Sequence, residues 1–150
     1  MEFISAEEFR KQPVEVQKYF IDWFLENKSV TDLVQVELHP VAEIKLYSEG
    51  FQDSKLQFEY KKEYQFKGKK INGKYEITPL LTEGQLRKFI EDNTNCHIEI
   101  IVGISGYVFV LRSKETLKEE KRISVLKRDL LQAYWKVAIQ IAEQEGKQND

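Results

Sequence analysis

Two histidines, one cysteine and a few adjacent carboxylates are the residues of this 150-residue chain whose types could do chemistry. His39 and His97 would be metal ligands or proton carriers if a Cys or His partner stood at ligand spacing, and none does. The chain has no H-E-x-x-H, no C-x-x-C and no carboxylate-rich loop, so it is expected to hold no metal and no cofactor. Cys96 would need a neighbouring base or cation to become a nucleophile, and no activating pattern surrounds it. On a strand-like segment a lone cysteine reads as a small buried hydrophobe. Glu91 and Asp92 are side by side at a helix end, which is ordinary surface composition and not a pair facing each other across a substrate. Gly103-Ile-Ser-Gly106 lacks the lysine and the following helix of a phosphate-cradling loop, and no G-x-S-x-G occurs. The expectation is a protein that is not an enzyme.

Binding chemistry has more to offer. Tyr60-Lys-Lys-Glu-Tyr-Gln-Phe-Lys-Gly-Lys-Lys70 interleaves three aromatics with five lysines, the pairing of stacking surface and phosphate-neutralising charge that single-stranded nucleic acids require. At a strand period of two, however, Tyr60, Tyr64 and Phe66 share a face with Lys62 while Lys61 and Lys67 point away, so the aromatics belong with the core. The net charge of −2 hides an uneven distribution. Residues 1–60 carry 6 Lys and Arg against 12 Asp and Glu, residues 61–80 carry 6 against 2, and residues 81–150 carry 11 against 11. A pI near 5.8 argues against a dedicated nucleic-acid binder. The candidate contact residues are Lys67, Lys69 and Lys70 at a hairpin tip, then Lys127 and Arg128 leading into the last helix, where Lys121 and Arg122 add a further basic pair.

These residues must be positioned by elements of two periods. Ser5-Ala-Glu-Glu8 has the form of a capping box, and Pro13 stands where a first helical residue belongs because its missing amide hydrogen would be unpaired there. Val16, Tyr19, Phe20, Trp23 and Phe24 then form one apolar helical stripe, with Asn27 as a left-handed stop. From residue 33 the period becomes two: Val34, Val36 and Leu38, then Ala42, Ile44 and Leu46 after Pro40, then Leu56, Phe58, Tyr60, Tyr64 and Phe66. Asn72-Gly73 is a strong hairpin signal. Thr82-Glu-Gly-Gln85 is a second capping box, opening a helix whose inner face is Leu86, Phe89 and Ile90 and which ends near Asn93. Residues 97–102 and 107–112 are strands joined by a hairpin at 103–106, and a third short strand is expected at 122–126. Leu130, Leu131, Tyr134, Trp135, Val137, Ala138 and Ile141 mark the last helix.

The expected fold is therefore α+β. It has an N-terminal helical segment over 1–32, an antiparallel β segment over 33–79 that could curl into an SH3-like barrel, and a helix–β-hairpin–helix unit over 80–150, all in one globule. Trp23, Phe89, Tyr134 and Trp135 are assigned to the core. No apolar run approaches the roughly 20 residues of a membrane span. The N-terminus lacks the basic and apolar regions of a signal peptide, and a single cysteine permits no internal disulfide, so an intracellular setting is expected.

At P-V-E-V-Q (13–17) with D-W (22–23), L-L-T-E-G-Q-L-R-K-F-I-E-D (80–92) and L-L-Q-A-Y-W-K-V-A (130–138), the chain resembles a family of small uncharacterised proteins encoded by phages and prophages of Firmicutes. The likeness covers about the first thirty residues and the last seventy. Members often carry a second Trp directly after D-W, where this chain has Phe24. The resemblance implies a phage origin and a bacterial host cytoplasm, and brings no catalytic residues. In that context the expected role is an accessory protein that binds a host protein stoichiometrically and inhibits a host defence system, its acidic first part imitating nucleic acid. A nucleic acid or nucleotide bound at the basic hairpin is the alternative partner, and an enzyme with a site scattered through the chain is the other alternative. The apolar last helix could pair with a second copy, giving a homodimer.

Overall fold

Ser5 does cap a helix: its hydroxyl accepts from the Glu8 amide at 3.1 Å and opens α1 (Ala6–Arg10). The computed structural model describes residues 2–27, 32–38, 41–46, 58–59, 64–66, 69–71 and 76–148. They fall into two units, Ser5–Leu80 and Leu81–Asp150 with Met1–Ile4, which are taken in turn.

In the first unit, Pro13 is the last residue before α2 (Val14–Asn27), and its carbonyl accepts from the amides of Val16 and Gln17. It thus stands one position ahead of the expected place, a shift within the ordinary ambiguity of helix ends. The Gln17 side chain donates to the carbonyls of Arg10 (3.1 Å) and Gln12 (2.7 Å), satisfying groups that the short first helix leaves unpaired. The apolar stripe is buried at Val16, Phe20, Ile21, Trp23 and Phe24, and the rings of Phe9 and Phe20 meet edge to face at 6.2 Å. Asn27 is not a left-handed stop. It remains helical and its side-chain amide donates to the Trp23 carbonyl at 2.9 Å, so the side chain does the capping without a change of backbone region.

The strands that follow are β1 (Leu33–Leu38), β2 (Val41–Leu46), β3 (Phe58–Glu59), β4 (Tyr64–Phe66), β5 (Lys69–Ile71) and β6 (Glu76–Pro79). One antiparallel sheet has the order β2-β1-β6-β3, and β4 and β5 pair separately. Among the described residues β2 and β3 are not paired with each other, and the four strands stand there as a row with β2 and β3 at its ends. Val34 and Val36 are buried on the face they share with Ile77. On the opposite face Arg10 donates twice to the Thr78 hydroxyl (2.9 and 3.2 Å) and pairs with Glu37, tying α1 to β1 and β6. Ala42, Ile44 and Leu46 do not join the core, with Ile44 53% and Leu46 45% exposed. The cause is register: Leu38 pairs with Val41 across two residues, which sets Ile44 opposite Gln35 and Lys45 opposite Val34. The Asn72-Gly73 turn lies outside the described residues; β5 before it pairs with β4, and β6 after it with β1 and β3.

The second unit is built from α3 (Glu83–Thr94), β7 (Cys96–Val102), β8 (Tyr107–Ser113), β9 (Glu119–Val125) and α4 (Leu130–Gln148). The Thr82 capping box is complete: the Gln85 backbone amide donates to the Thr82 hydroxyl at 3.3 Å, and the Thr82 backbone amide donates to the Gln85 side-chain oxygen Oε1 at 2.9 Å. Helix α3 ends at Thr94, beside the Asn93 end expected from the sequence, and its C-cap Asn95 has the left-handed backbone (φ 53°). The side chains of Asn93 and Thr94 donate to the carbonyls of Phe89 and Ile90 and carry the helix through that last turn. Strands β7, β8 and β9 form an antiparallel meander. The third strand begins three residues earlier than the apolar pattern showed, because Glu119 and Lys121 pair with Arg112 and Leu111, with Glu120 as the extra residue between them. The core holds Leu86, Phe89 and Ile90 from α3, Ile98, Phe109, Leu111, Ile123 and Val125 from the sheet, and Leu131, Tyr134, Trp135, Ala138 and Ile141 from α4. Phe109 and Tyr134 meet edge to face at 5.0 Å. The four residues assigned to the core, Trp23, Phe89, Tyr134 and Trp135, are all buried. The fold is α+β with antiparallel sheets, and no described helix is long and apolar enough to cross a membrane.

Candidate functional site

Of the reactive residues singled out in the sequence, Cys96 and His97 are among the described residues and His39 lies outside them. Cys96 is buried and its thiol donates to the Thr94 carbonyl and the Glu120 carboxylate, both at 3.3 Å. Burial, reinforced by the Glu120 carboxylate, raises its pKa, the opposite of what a nucleophilic thiolate needs. His97 is exposed on β7. No group of three or more His, Cys, Asp or Glu able to hold a metal occurs among the described residues.

The basic candidates separate. Lys67 lies outside the described residues. Lys69 and Lys70 are on β5, opposite Phe66 and Gln65, in the first unit. Lys121 donates to the Gln144 side chain at 2.8 Å and Arg122 pairs with Glu119 at 2.7 Å, so both are engaged within the second unit. Lys127 and Arg128 are exposed on the connection from β9 to α4, and among the described residues neither side chain has a hydrogen-bond or ion-pair partner.

That connection is held at both ends. The Tyr107 hydroxyl donates to the Arg128 carbonyl at 3.0 Å, and Asp129 caps α4 by accepting the Leu131 amide at 2.9 Å. Beside it, β7 turns into β8 through residues 103–106, closed by the Gly103 amide donating to the Gly106 carbonyl at 2.8 Å. Gly106 lies directly on the end of β9, so close that a methyl there would come 2.0 Å from the Val125 carbonyl oxygen and 3.1 Å from the Leu126 Cα. The hairpin tip and the β9–α4 connection therefore share one end of the sheet. At that end Ile104 is 103% exposed and Leu126 77%.

Two large aliphatic side chains in water beside two unpaired cations form a surface suited to another macromolecule. Burying each aliphatic group is worth about 1.5–3 kcal/mol, and the cations would speed and orient the approach of an acidic surface. Sequence patterning found Lys127 and Arg128 and missed Ile104 and Leu126. The signal for Ile104 was present: an isoleucine between glycines at a tight turn, where turn chemistry favours polar residues. Leu126 looked like the last residue of a strand and only the geometry puts it outside. Comparison of the chain with protein-family models, with curated proteins and with solved structures finds no match.

Proposed function

We propose that this chain is a phage-encoded accessory protein that acts by stoichiometric binding of a host protein, in the role of inhibiting a host defence component. The observation that carries the binding reading is the end of the second unit, where exposed Ile104 and Leu126 adjoin the unpaired Lys127 and Arg128. Aliphatic area beside cations fits a protein surface with an apolar pocket rimmed by Asp or Glu. The phage role rests on the motif resemblance at 13–23, 80–92 and 130–138.

The test is an affinity pull-down from nuclease-treated bacterial host lysate, followed by titration of the recovered protein with wild type and with Lys127→Glu/Arg128→Glu. The expected outcome is one-to-one binding that weakens tenfold or more in the charge-reversed variant and weakens with salt in wild type. Binding that persists unchanged in that variant, or that needs nucleic acid, would overturn the reading.

A further inference from the structure

The three-stranded sheet of the second unit has two edges, and they are built differently. The outer edge, β9, carries Glu119, Glu120, Lys121 and Arg122, and its ladder with β8 is interrupted by a bulge between Leu111 and Arg112. Charge and a bulge are the usual devices that keep an edge from pairing with another chain. Strand β7, Cys-His-Ile-Glu-Ile-Ile-Val, has no bulge and a single charge, Glu99: seven residues in unbroken register with β8, no lysine, no proline. Among the described residues nothing pairs with its other side.

The phase of β7 can be fixed. The Gly103 amide bonds to Gly106 and the Lys114 amide bonds to Asn95, so odd-numbered residues of β7 direct their backbone groups toward β8. The amides and carbonyls of Ile98, Ile100 and Val102 therefore point outward. The apolar residues Tyr134, Trp135, Val137, Ala138 and Ile141 of α4 are buried within the chain, whereas the outward amides and carbonyls of β7 have no strand partner among the described residues.

We infer that β7 pairs with β7 of a second copy, antiparallel about a two-fold axis at Ile100, joining two three-stranded sheets into one of six. The sequence is complementary to itself in that register. Ile100 meets Ile100 of the partner subunit and Ile98 meets Val102 of the partner subunit, three apolar pairs on one face. Glu99, already held by Arg112 at 2.8 Å, meets an isoleucine. Moving the axis to Glu99 would instead set two carboxylates directly opposite, which is unfavourable. The 74% exposure of Val102 and 42% of Ile101 in the single chain is the area such pairing would cover. One seven-residue strand gives a small interface, so the dimer is reversible, with a Kd on the order of micromolar. Its axis leaves Ile104, Leu126, Lys127 and Arg128 at opposite ends of the pair, so this inference does not depend on the proposed host contact.

Sedimentation velocity from about 1 to 500 μM tests it, since the range spans a micromolar Kd. Wild type is expected to move from 17.8 kDa toward twice that mass. Val102→Pro removes one outward amide and no bond to β8, and is expected to weaken the dimer at least tenfold with unchanged circular dichroism. Under mild oxidation Ile100→Cys is expected to cross-link to its copy, since facing Cα atoms in a hydrogen-bonded pair lie about 5.5 Å apart. Glu99→Cys is expected not to. Wild type that stays monomeric throughout, or a dimer indifferent to Val102→Pro and cross-linked at residue 99 in place of 100, would overturn the inference.

Discussion

Replacing Gly106 by alanine tests whether the hairpin tip is seated on the end of β9 as described. The added methyl would come 2.0 Å from the Val125 carbonyl oxygen and 3.0 Å from its carbon. A carbon and an oxygen tolerate little less than about 3.2 Å, so one backbone must retreat by roughly 1.2 Å. Neither partner is a side chain that can change rotamer. The retreat falls on the Tyr107–Val125 rung, the last pairing of β8 with β9 at this end. Losing that rung costs about 1 kcal/mol, and the displaced packing about 1–3 kcal/mol. Alanine recovers about 0.5–1 kcal/mol by restricting the unfolded chain. The net loss is roughly 1–3.5 kcal/mol. In urea, with a slope near 2 kcal/mol per M, the unfolding midpoint of the second unit should fall by about 1 M, followed by the fluorescence of Trp135. Gly103→Ala is the control: its methyl would rest 3.4 Å from the Gly106 carbonyl oxygen, an ordinary contact, and its midpoint should move far less. A Gly106→Ala midpoint equal to that of wild type would refute the seating of the tip and, with it, the placement of Ile104 beside Leu126.

Trp135→Ala empties a site that is 4% exposed beneath α3 and the sheet, and should lose about 3–5 kcal/mol in calorimetry or denaturant melts. Leu117 holds a left-handed backbone (φ 62°) while 64% exposed in the turn between β8 and β9; Leu117→Asn should therefore stabilise by about 1 kcal/mol, read as a rise in Tm. Because burial raises the Cys96 pKa, the folded state keeps a proton that the unfolded chain gives up above the ordinary thiol value near 8.5. Stability should therefore fall as pH rises through that value and beyond, Cys96→Ala should flatten the fall, and a thiol reagent should label native protein only at the rate of unfolding.

How much of this was legible in the sequence follows the reach of each physical signal. Local chemistry was readable: the Thr82–Gln85 box, the stripe of α2, and the core roles of Phe89, Tyr134 and Trp135 depend on neighbours within one or two turns. Register was not. Ala42, Ile44 and Leu46 alternate as a core strand does, but the two-residue connection to β1 turns that face outward, and nothing in the alternation says which face a sheet will cover. The left-handed residue came at Asn95 and not at Asn27, since an asparagine near a helix end can cap through its side chain instead. At the candidate site, charge was visible at Lys127 and Arg128, whereas the sharing of one end of the sheet by Ile104 and Leu126 depends on the approach of Gly106 to the end of β9, a contact between residues nearly twenty positions apart.

The measurement that bears most directly on the central claim is a quantitative pull-down from host lysate comparing wild type with Ile104→Asp/Leu126→Asp, two substitutions at exposed positions that leave the core untouched. A host protein recovered in near-equal amount with wild type, with or without nuclease, and lost with the double variant is the predicted result. Equal recovery by both proteins would contradict the assignment of binding to this end of the sheet.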